Sequence, residues 1–353
     1  MTKRSKKQLA PAPSVNLVAL AEVVDRFSTK TVVVLGDFVA DAFQLGDITR
    51  VSREAPVLIL KHRETQIVPG GGANAANNFA ALGAKVLPVT AIGEDEAGGR
   101  LLEFFRKQKV DVSGIHRVKG WTTPTKTRFL AGWAHKVGQQ VLRVDYEPGQ
   151  PLPPEVHGKI QATLAKALKK ADALAVSDYG FGVASPQALT TILSSRKRPA
   201  LSILDSRYRL TDYKRAGLHS ATPNEGEIEA LHHTTIGKNL DELERCGRAT
   251  LFQMNLESLV VTRGRDGLAL FQPGMQTVHI PIHGSDQPID VTGAGDTVLA
   301  AYTLGLACGA SPLEAAHLAN IAGGLVVMKR GTATISRSEL LEAIGASASG
   351  ITS

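Results

Sequence analysis

The sequence predicts an α/β fold: a mostly parallel sheet between two layers of helices, a three-layer sandwich, with a small β-sheet lid. From Thr31 onward, apolar β-branched runs alternate with helix-patterned segments, the order that builds a parallel sheet covered on both faces. Two stretches, at about 42–68 and 122–147, read instead as short strands and turns without a helix between them. They are expected to pair into the lid. At 353 residues and 43% hydrophobic content the chain is long for one core and short for two. One large domain over 15–347 with the lid as its appendage follows.

The elements run in a simple order. Residues 1–14 carry Lys3, Arg4, Lys6, Lys7, Pro11 and Pro13 with no apolar period, and are expected to be a flexible basic tail. Thr31-Val-Val-Val-Leu-Gly36 has the look of a strand buried on both faces. The spans Val86–Ile92, Ala173–Ser177, Ala200–Leu204 and Ser258–Thr262 repeat that pattern. Helical patterns cover Asn74–Leu82, Glu96–Gln108, Pro154–Lys169, Pro186–Ser194, Leu240–Asn255 and Thr297–Cys308. The last residues, 348–353, are small and polar and are expected to fray. Ligands of such a fold bind outside the carboxyl ends of the strands.

Charge and composition exclude several classes. The net charge is +7, but Lys3, Arg4, Lys6 and Lys7 sit in the tail, which leaves +3 for the rest. A small excess of this sign suits phosphorylated metabolites and nucleotides. The sequence has no zinc-finger spacing, no ribonucleoprotein-type aromatic motif and no long basic helix, so nucleic acid is not an expected partner. Its longest apolar stretches, such as Val298–Ala307, fall short of the roughly 20 residues of a membrane span. The basic start leads into no apolar signal core, and Cys246 and Cys308 form no metal or redox pair. A cytoplasmic protein is expected. A Walker A string is absent, and Asp37-Phe-Val-Ala-Asp41 stands where a dinucleotide-binding Gly-x-Gly-x-x-Gly would follow the first strand.

The sharpest local feature is Asp290-Val-Thr-Gly-Ala-Gly-Asp296 ahead of an apolar helical run. Small residues before a helix leave N–H groups open, and the helix start carries partial positive charge. Gly293, Ala294 and Gly295 are therefore a candidate anion hole. A carboxylate inside an anion site repels the anion unless it has chemistry to do. Asp296 is placed to accept the proton of a substrate hydroxyl while the N–H groups stabilise a transferring phosphoryl group. A tight turn with Asp296 as a plain helix cap is the competing reading. The flanking Asp290 and Thr292 make the string far more specific than Gly-Ala-Gly-Asp alone.

Asp-x-x-Gly-Ala-Gly-Asp resembles the C-terminal signature of the ribokinase-like sugar kinases, the PfkB family, whose final Asp is the catalytic base. Gly36-Asp37 with Asp41 and Gly46 resembles the family's sugar-binding entry, and Gly70-Gly71-Gly72-Ala73-Asn74 its Gly-Gly…Asn turn. Gly93-Glu-Asp-Glu-Ala-Gly98 resembles its Gly-x-Asp-x-x-Gly, and Asn224-Glu-Gly-Glu227 its Asn-x-x-Glu element. These matches run in family order from about Val32 to Ile335. Within the family, Arg50-Val-Ser-Arg-Glu-Ala-Pro-Val57, Pro124-Thr-Lys-Thr-Arg128, Arg143-Val-Asp145 and Ser177-Asp178-Tyr179 are similar to stretches of the D-glycero-D-manno-heptose 7-phosphate kinases.

The resemblance implies a ribokinase-like fold and ATP-dependent phosphorylation of a sugar or sugar phosphate, heptose 7-phosphate to its 1,7-bisphosphate above others. It implies that Asp41, Gly71, Gly72, Asn74 and Asp178 meet the sugar, and that Arg50, Lys126, Arg128 and Arg143 supply cations for a phosphate. Lys126 and Arg128 share one face of a strand by their spacing of two, and Arg143 has Asp145 as an alternative partner. ATP is expected along Thr262, Arg263 and Gly264 with Asn320 at the adenine end, where a buried helix-crossing asparagine is the rival reading. Asn224 and Glu227 are expected to hold Mg²⁺ through water, although a helix cap explains the same pair. Asp290, Thr292 and carbonyls around 329–332 are the implied K⁺ site. A homodimer through the lid is implied as well, and Val57 and Ile59 offer it an apolar face.

Three departures bear on the sugar. Phe181 stands where these heptose kinases carry a lysine, Asp205-Ser-Arg207 stands for their Asp-Pro-Lys, and Ala42-Phe43 for Arg-Tyr. A PfkB-type kinase of another sugar, sugar phosphate or nucleoside is the alternative, and a non-catalytic sugar-phosphate binder a further one. The chain stops soon after the kinase-like region, so the nucleotidyltransferase half of the bifunctional heptose enzymes is not expected in it.

Overall fold

The computed structural model describes residues 13–132, 139–194 and 201–348. The expected tail over 1–14 and the expected frayed end over 348–353 thus fall almost wholly outside the described residues. The strands are β1 Thr31–Gly36, β2 Phe38–Val51, β3 Leu58–Gly71, β4 Lys85–Gly93, β5 Ile115–Val118, β6 Thr125–Gly132 and β7 Gln139–Tyr146. They continue as β8 Ala173–Asp178, β9 Leu201–Ser206, β10 Ser220–Ala221, β11 Ser258–Thr262, β12 Leu268–Phe271 and β13 Val278–Ile280. Nine of them form one sheet in the order β13-β12-β11-β10-β9-β8-β1-β4-β5, parallel except at β12 and β13. The other four form a separate sheet, β3-β2-β6-β7. The predicted fold class is the one observed.

The core explains the sandwich. Along β1, Val32 and Val34 pack into one apolar cluster and Val33 and Leu35 into another, because successive strand residues face opposite sides. The first cluster takes in helices Leu17–Asp25, Gly72–Ala81, Ala294–Ala307, Pro312–Val326 and Arg337–Ala348. The second takes in Pro154–Leu168, Pro186–Leu193 and Leu240–Met254. With helices on both faces, the central strands are buried on both sides and read as mostly apolar runs rather than as an alternation. Among the described residues no helix is long and apolar enough to cross a membrane.

The small sheet differs from expectation in reach. Its first two strands are 14 residues each, paired antiparallel from Phe38↔Gly71 out to Val51↔Leu58. The outer half of β3 is mostly exposed and polar and that of β2 is half-buried except at Thr49, Arg50 and Val51, so the apolar period that marks them as strands is weak. β2 also runs parallel to β6 and thereby carries Asp41 next to Lys126. Asp95 moors the start of β6: Oδ2 accepts the Thr123 N–H at 2.7 Å, and Oδ1 accepts Thr123 Oγ1 at 2.7 Å and the Gly98 N–H at 2.8 Å. The Gly-x-Asp-x-x-Gly segment is thus a helix cap that doubles as the attachment point of the lid.

Candidate active site

The carboxyl ends of β1, β8, β9 and β11, the starts of two helices, and the inner end of the small sheet converge on Asp296. This carboxylate lies in the first turn of helix Ala294–Ala307, whose cap, Gly293, has φ +80°. A Cβ at Gly293 would stand 2.4 Å from Nδ2 of Asn74. The glycine therefore serves both the left-handed turn and the approach of that amide. Asn74 Nδ2 donates to Asp296 Oδ2 at 2.7 Å, and the Tyr179 hydroxyl lies 3.5 Å from Oδ1. Burial pushes the Asp296 pKa up to about 7; Asp41 adds to the rise, while the Asn74 and Tyr179 hydrogen bonds and Lys126 oppose it. A base poised near neutrality is what proton abstraction at physiological pH requires.

Beside Asp296 lie the groups expected to meet a sugar. Asp41 Oδ1 accepts from Arg128 at 2.6 Å, and its Oδ2 from Thr332 Oγ1 at 3.3 Å. Lys126, one strand position pair away, turns toward Tyr179, its Nζ 5.3 Å from the ring centroid. Burial, the first cause, and the nearby Arg207 hold the Lys126 pKa below its ordinary value. Neither Lys126 Nζ nor the Arg207 guanidinium has a hydrogen-bond partner among the described residues. Both line a cavity of about 530 Å³ with Arg143, His157 and Phe181. Arg143 is held there by a bidentate pair to Asp145, both contacts 2.9 Å.

Gly71, with φ +53°, starts helix Gly72–Ala81 against Asp37 and Tyr179. Asp178 is buried with its oxygens taken up by Arg209, Tyr213, Ser206 and the Gly180 N–H. Arg50 lies exposed nine positions along β2 from Asp41, roughly 30 Å at 3.3 Å per residue. It is not brought to Asp296.

Two further cavities flank the helix start, and Gly295 lines both. One, about 150 Å³ and mainly apolar, is bounded by Thr262, Gly264, Leu268, Val298, Asn320 and Gly324. Asn320 donates to the Pro281 carbonyl at 2.7 Å. Arg263 points elsewhere, into a buried pair with Glu225 at 2.6 Å. The other, about 320 Å³, is acidic: Asp178, Asp205, Glu227 and Asp296 face it with Arg207 and Asn224. Asn224 and Glu227 form a reciprocal capping box, 2.9 Å each way, so the helix-cap reading holds for both. Burial raises the pKa of Glu227 and of Asp205, the latter further through Glu227, Asp296 and Asp178. Asp205, in the stretch that stands for Asp-Pro-Lys, is not among the expected site residues. Its signal in the sequence is a lone acid ending a buried strand. On the far side, Asp290 accepts the Thr292 and Gly331 N–H groups at 2.9 and 3.0 Å. Burial alone would raise its pKa, but these bonds outweigh it and leave the value lowered.

A sequence profile described as pfkB family carbohydrate kinase matches residues 29–339. The chain belongs to that family. It is a carbohydrate kinase, an enzyme that uses ATP. It is 36% identical over 320 residues to a protein of Trichlorobacter lovleyi named bifunctional protein HldE, covering 90% of this chain and 64% of that one. It is 37% identical over 314 residues to the protein of the same name in Geobacter metallireducens, covering 88% and 62%. The kinase chain thus spans less than two thirds of the length of the curated relatives it matches. Among solved structures it is similar in fold to Arabidopsis thaliana ribokinase complexed with ribose and ATP, at TM-score 0.69 and 20% identity over 89% of this chain and 98% of that one. The tetrameric inhibited form of Escherichia coli phosphofructokinase-2 is similar at TM-score 0.72 and 19% identity, over 90% and 98%. The predicted ribokinase-like fold is shown by these likenesses.

Proposed function

We propose that this kinase transfers the γ-phosphoryl group of ATP to a hydroxyl of a phosphorylated sugar, with D-glycero-D-manno-heptose 7-phosphate as the acceptor and the 1,7-bisphosphate as product. The observation that carries the reading is the position of Asp296. It lines the acidic cavity, which shares Gly295 with the apolar cavity and Tyr179 and Arg207 with the cavity that holds Lys126. Adenine fits the apolar cavity beside Asn320, and the phosphates then run over the helix start at Gly293, Ala294 and Gly295, where the Ala294 N–H already donates to the Val291 carbonyl at 3.3 Å. Asp296 takes the acceptor proton as the new O–P bond forms and the bond to the leaving ADP oxygen breaks.

Lys126 and Arg207, unpaired and facing one cavity, suit the phosphate the acceptor already carries. Arg207 supplies there a charge that Phe181 does not. The heptose assignment is supported by the stretch Arg50–Val57 and by Lys126, Arg128 and Arg143, as stated for the sequence. Mg²⁺ fits the acidic cavity, where Glu227, Asp296 and Asp178 add to the burial that raises the Asp205 pKa and Arg207 is the one cation among the lining residues. It would bind through Asn224, Glu227 and water, and would screen the phosphate charge. Potassium fits Asp290, Thr292 and the 329–332 loop; a potassium complex of Escherichia coli phosphofructokinase-2, similar in fold, supports this. A homodimer through the small sheet suits the exposed Val51, Val57, Leu58, Val141 and Leu142. The cytoplasm is the proposed compartment. The reading is tested by an ADP-release assay over sugars and sugar phosphates. Turnover with phosphorylated heptose above the others is expected, and preference for an unphosphorylated sugar would overturn the acceptor class.

A further inference from the structure

The two oxygens of Asp296 are held unequally. On the Oδ2 side, the Asn74 amide is itself fixed, since Asn78 Nδ2 donates to the Asn74 carbonyl at 2.9 Å and to its Oδ1 at 3.2 Å. Thr297 Oγ1 in turn donates to Asn78 Oδ1 at 2.7 Å. On the Oδ1 side stands the phenol of Tyr179, at 3.5 Å. Everything else about Tyr179 is tied down. Its N–H donates to buried Asp37 at 2.9 Å, as do those of Phe181 at 3.0 Å and Val183 at 2.9 Å. Its ring lies against Gly71, with Cδ2 3.3 Å from where a Cβ would be, and carries Lys126 on its face. Only the hydroxyl has latitude, and Asp296 is its one hydrogen-bond partner among the described residues.

We propose that Tyr179 is a positioning residue for the base: its hydroxyl steers Oδ1 through a longer, weaker contact than the one Asn74 makes to Oδ2, and the two together set the carboxylate plane and turn the remaining lone pairs to the acceptor hydroxyl. This rests on the reading of Asp296 as the base. Burial, reinforced by the negative charges of Asp296 and Asp205, keeps the phenol protonated, so it donates and never competes for the substrate proton. That proton passes from the acceptor oxygen to Asp296, and Tyr179 keeps its own throughout. Among the charges around Asp296, Asp41 from β2 and Asp205 from β9 disfavour its ionised form and Lys126 from β6 favours it, while Asp178, Glu227 and Arg207 face the same cavity. Tyr179 and Asn74 are the donors that offset burial. Loss of one donor makes Asp296 take up a proton at higher pH.

Tyr179→Phe keeps the ring, its packing and the Asp37 anchor, and removes one oxygen. The variant should show kcat lowered on the order of tenfold, about 1.4 kcal/mol of barrier. Its acid limb in the pH–rate profile should move to higher pH, with ATP affinity unchanged. A purely structural tyrosine would leave the limb in place. Wild-type kcat together with an unmoved acid limb would overturn the proposal. Asp296→Asn is measured alongside: if it is inactive while Tyr179→Phe behaves as wild type, only the positioning role fails. If Asp296→Asn turns over, the base assignment fails, and this inference with it.

Discussion

The amide of Asn74 donates a 2.7 Å hydrogen bond to the carboxylate of Asp296, joining the first turns of two helices 222 residues apart in the chain. The contact is possible because Gly293, at the cap of the second helix, has no side chain in the way. It makes one unit of two motifs that lie at opposite ends of the sequence. Truncating Asn74 to Ala leaves a buried carboxylate short of a donor, which costs about 1–3 kcal/mol. The variant is expected to melt earlier and to lose activity at higher pH than the wild type, because that hydrogen bond favours the ionised form of Asp296. Calorimetry and a pH–rate profile check the two effects separately.

Lys126 and Arg128 share a strand face but not a task. Arg128 pairs at 2.6 Å with Asp41, and their side chains are 14% and 6% exposed. Removing one member of a pair this buried leaves an uncompensated charge worth about 3–5 kcal/mol. Lys126 has no such partner and faces the cationic cavity. Lys126→Ala should therefore raise KM for a phosphorylated acceptor with little change in melting temperature, and at pH 8 and above, where Asp296 is ionised, with little change in kcat. Arg128→Ala should lower the melting temperature as well. Thermal melts beside Michaelis–Menten curves for both variants separate the roles, and equal kinetics for Lys126→Ala and wild type would remove Lys126 from the site.

The buried acid makes a pH prediction with a definite sign. Asp296 ionises near 3.8 in an unfolded chain and near 7 in the folded one, chiefly through burial. Between those values the folded state holds a proton that the unfolded state has released. This group alone makes stability fall as pH rises through that window. Activity runs the opposite way, since only the ionised form accepts a proton, so kcat should drop about tenfold per unit below roughly pH 7. Chemical denaturation at pH 5 and pH 8 should show a smaller difference between the two for Asp296→Asn than for wild type. An unchanged difference would remove the buried carboxylate as its cause.

The parts of this molecule legible in its sequence are those where burial imposes a period. β1, β4, β8, β9 and β11 are covered on both faces and announce themselves as apolar runs, rich in β-branched residues in β1, β4 and β11. The outer halves of β2 and β3 are not, since Lys61, His62, Arg63 and Glu64 face solvent, and backbone pairing alone fixes them as strands. At the site, Asp290 to Asp296 was legible as a candidate because Asp290 and Thr292 flank a glycine turn that alone would read as a plain helix cap. Tyr179 and Asp205 were not readable as site residues, because each gains its role only when β8 and β9 come to lie beside the helix that begins at Ala294. Arg263 and Asp178 sit on matching motifs, yet Glu225 takes up the first and Arg209 the second. Which side chain a charged residue meets is decided in three dimensions, not by spacing along the chain.

The claim at the centre of this account is that Asp296 removes the acceptor proton, and Asp296→Asn tests it most directly. The amide is nearly isosteric and can still accept from Asn74, so the fold should persist. At pH 8, where the wild type holds an ionised buried carboxylate, the variant should melt at the same temperature or higher. ATP should bind at least as well, because a negative charge has left the anion site. Single-turnover phosphoryl transfer should fall by about 10²–10⁴, the usual worth of a positioned base. Transfer at the wild-type rate by a folded, ATP-binding Asp296→Asn protein would contradict the account.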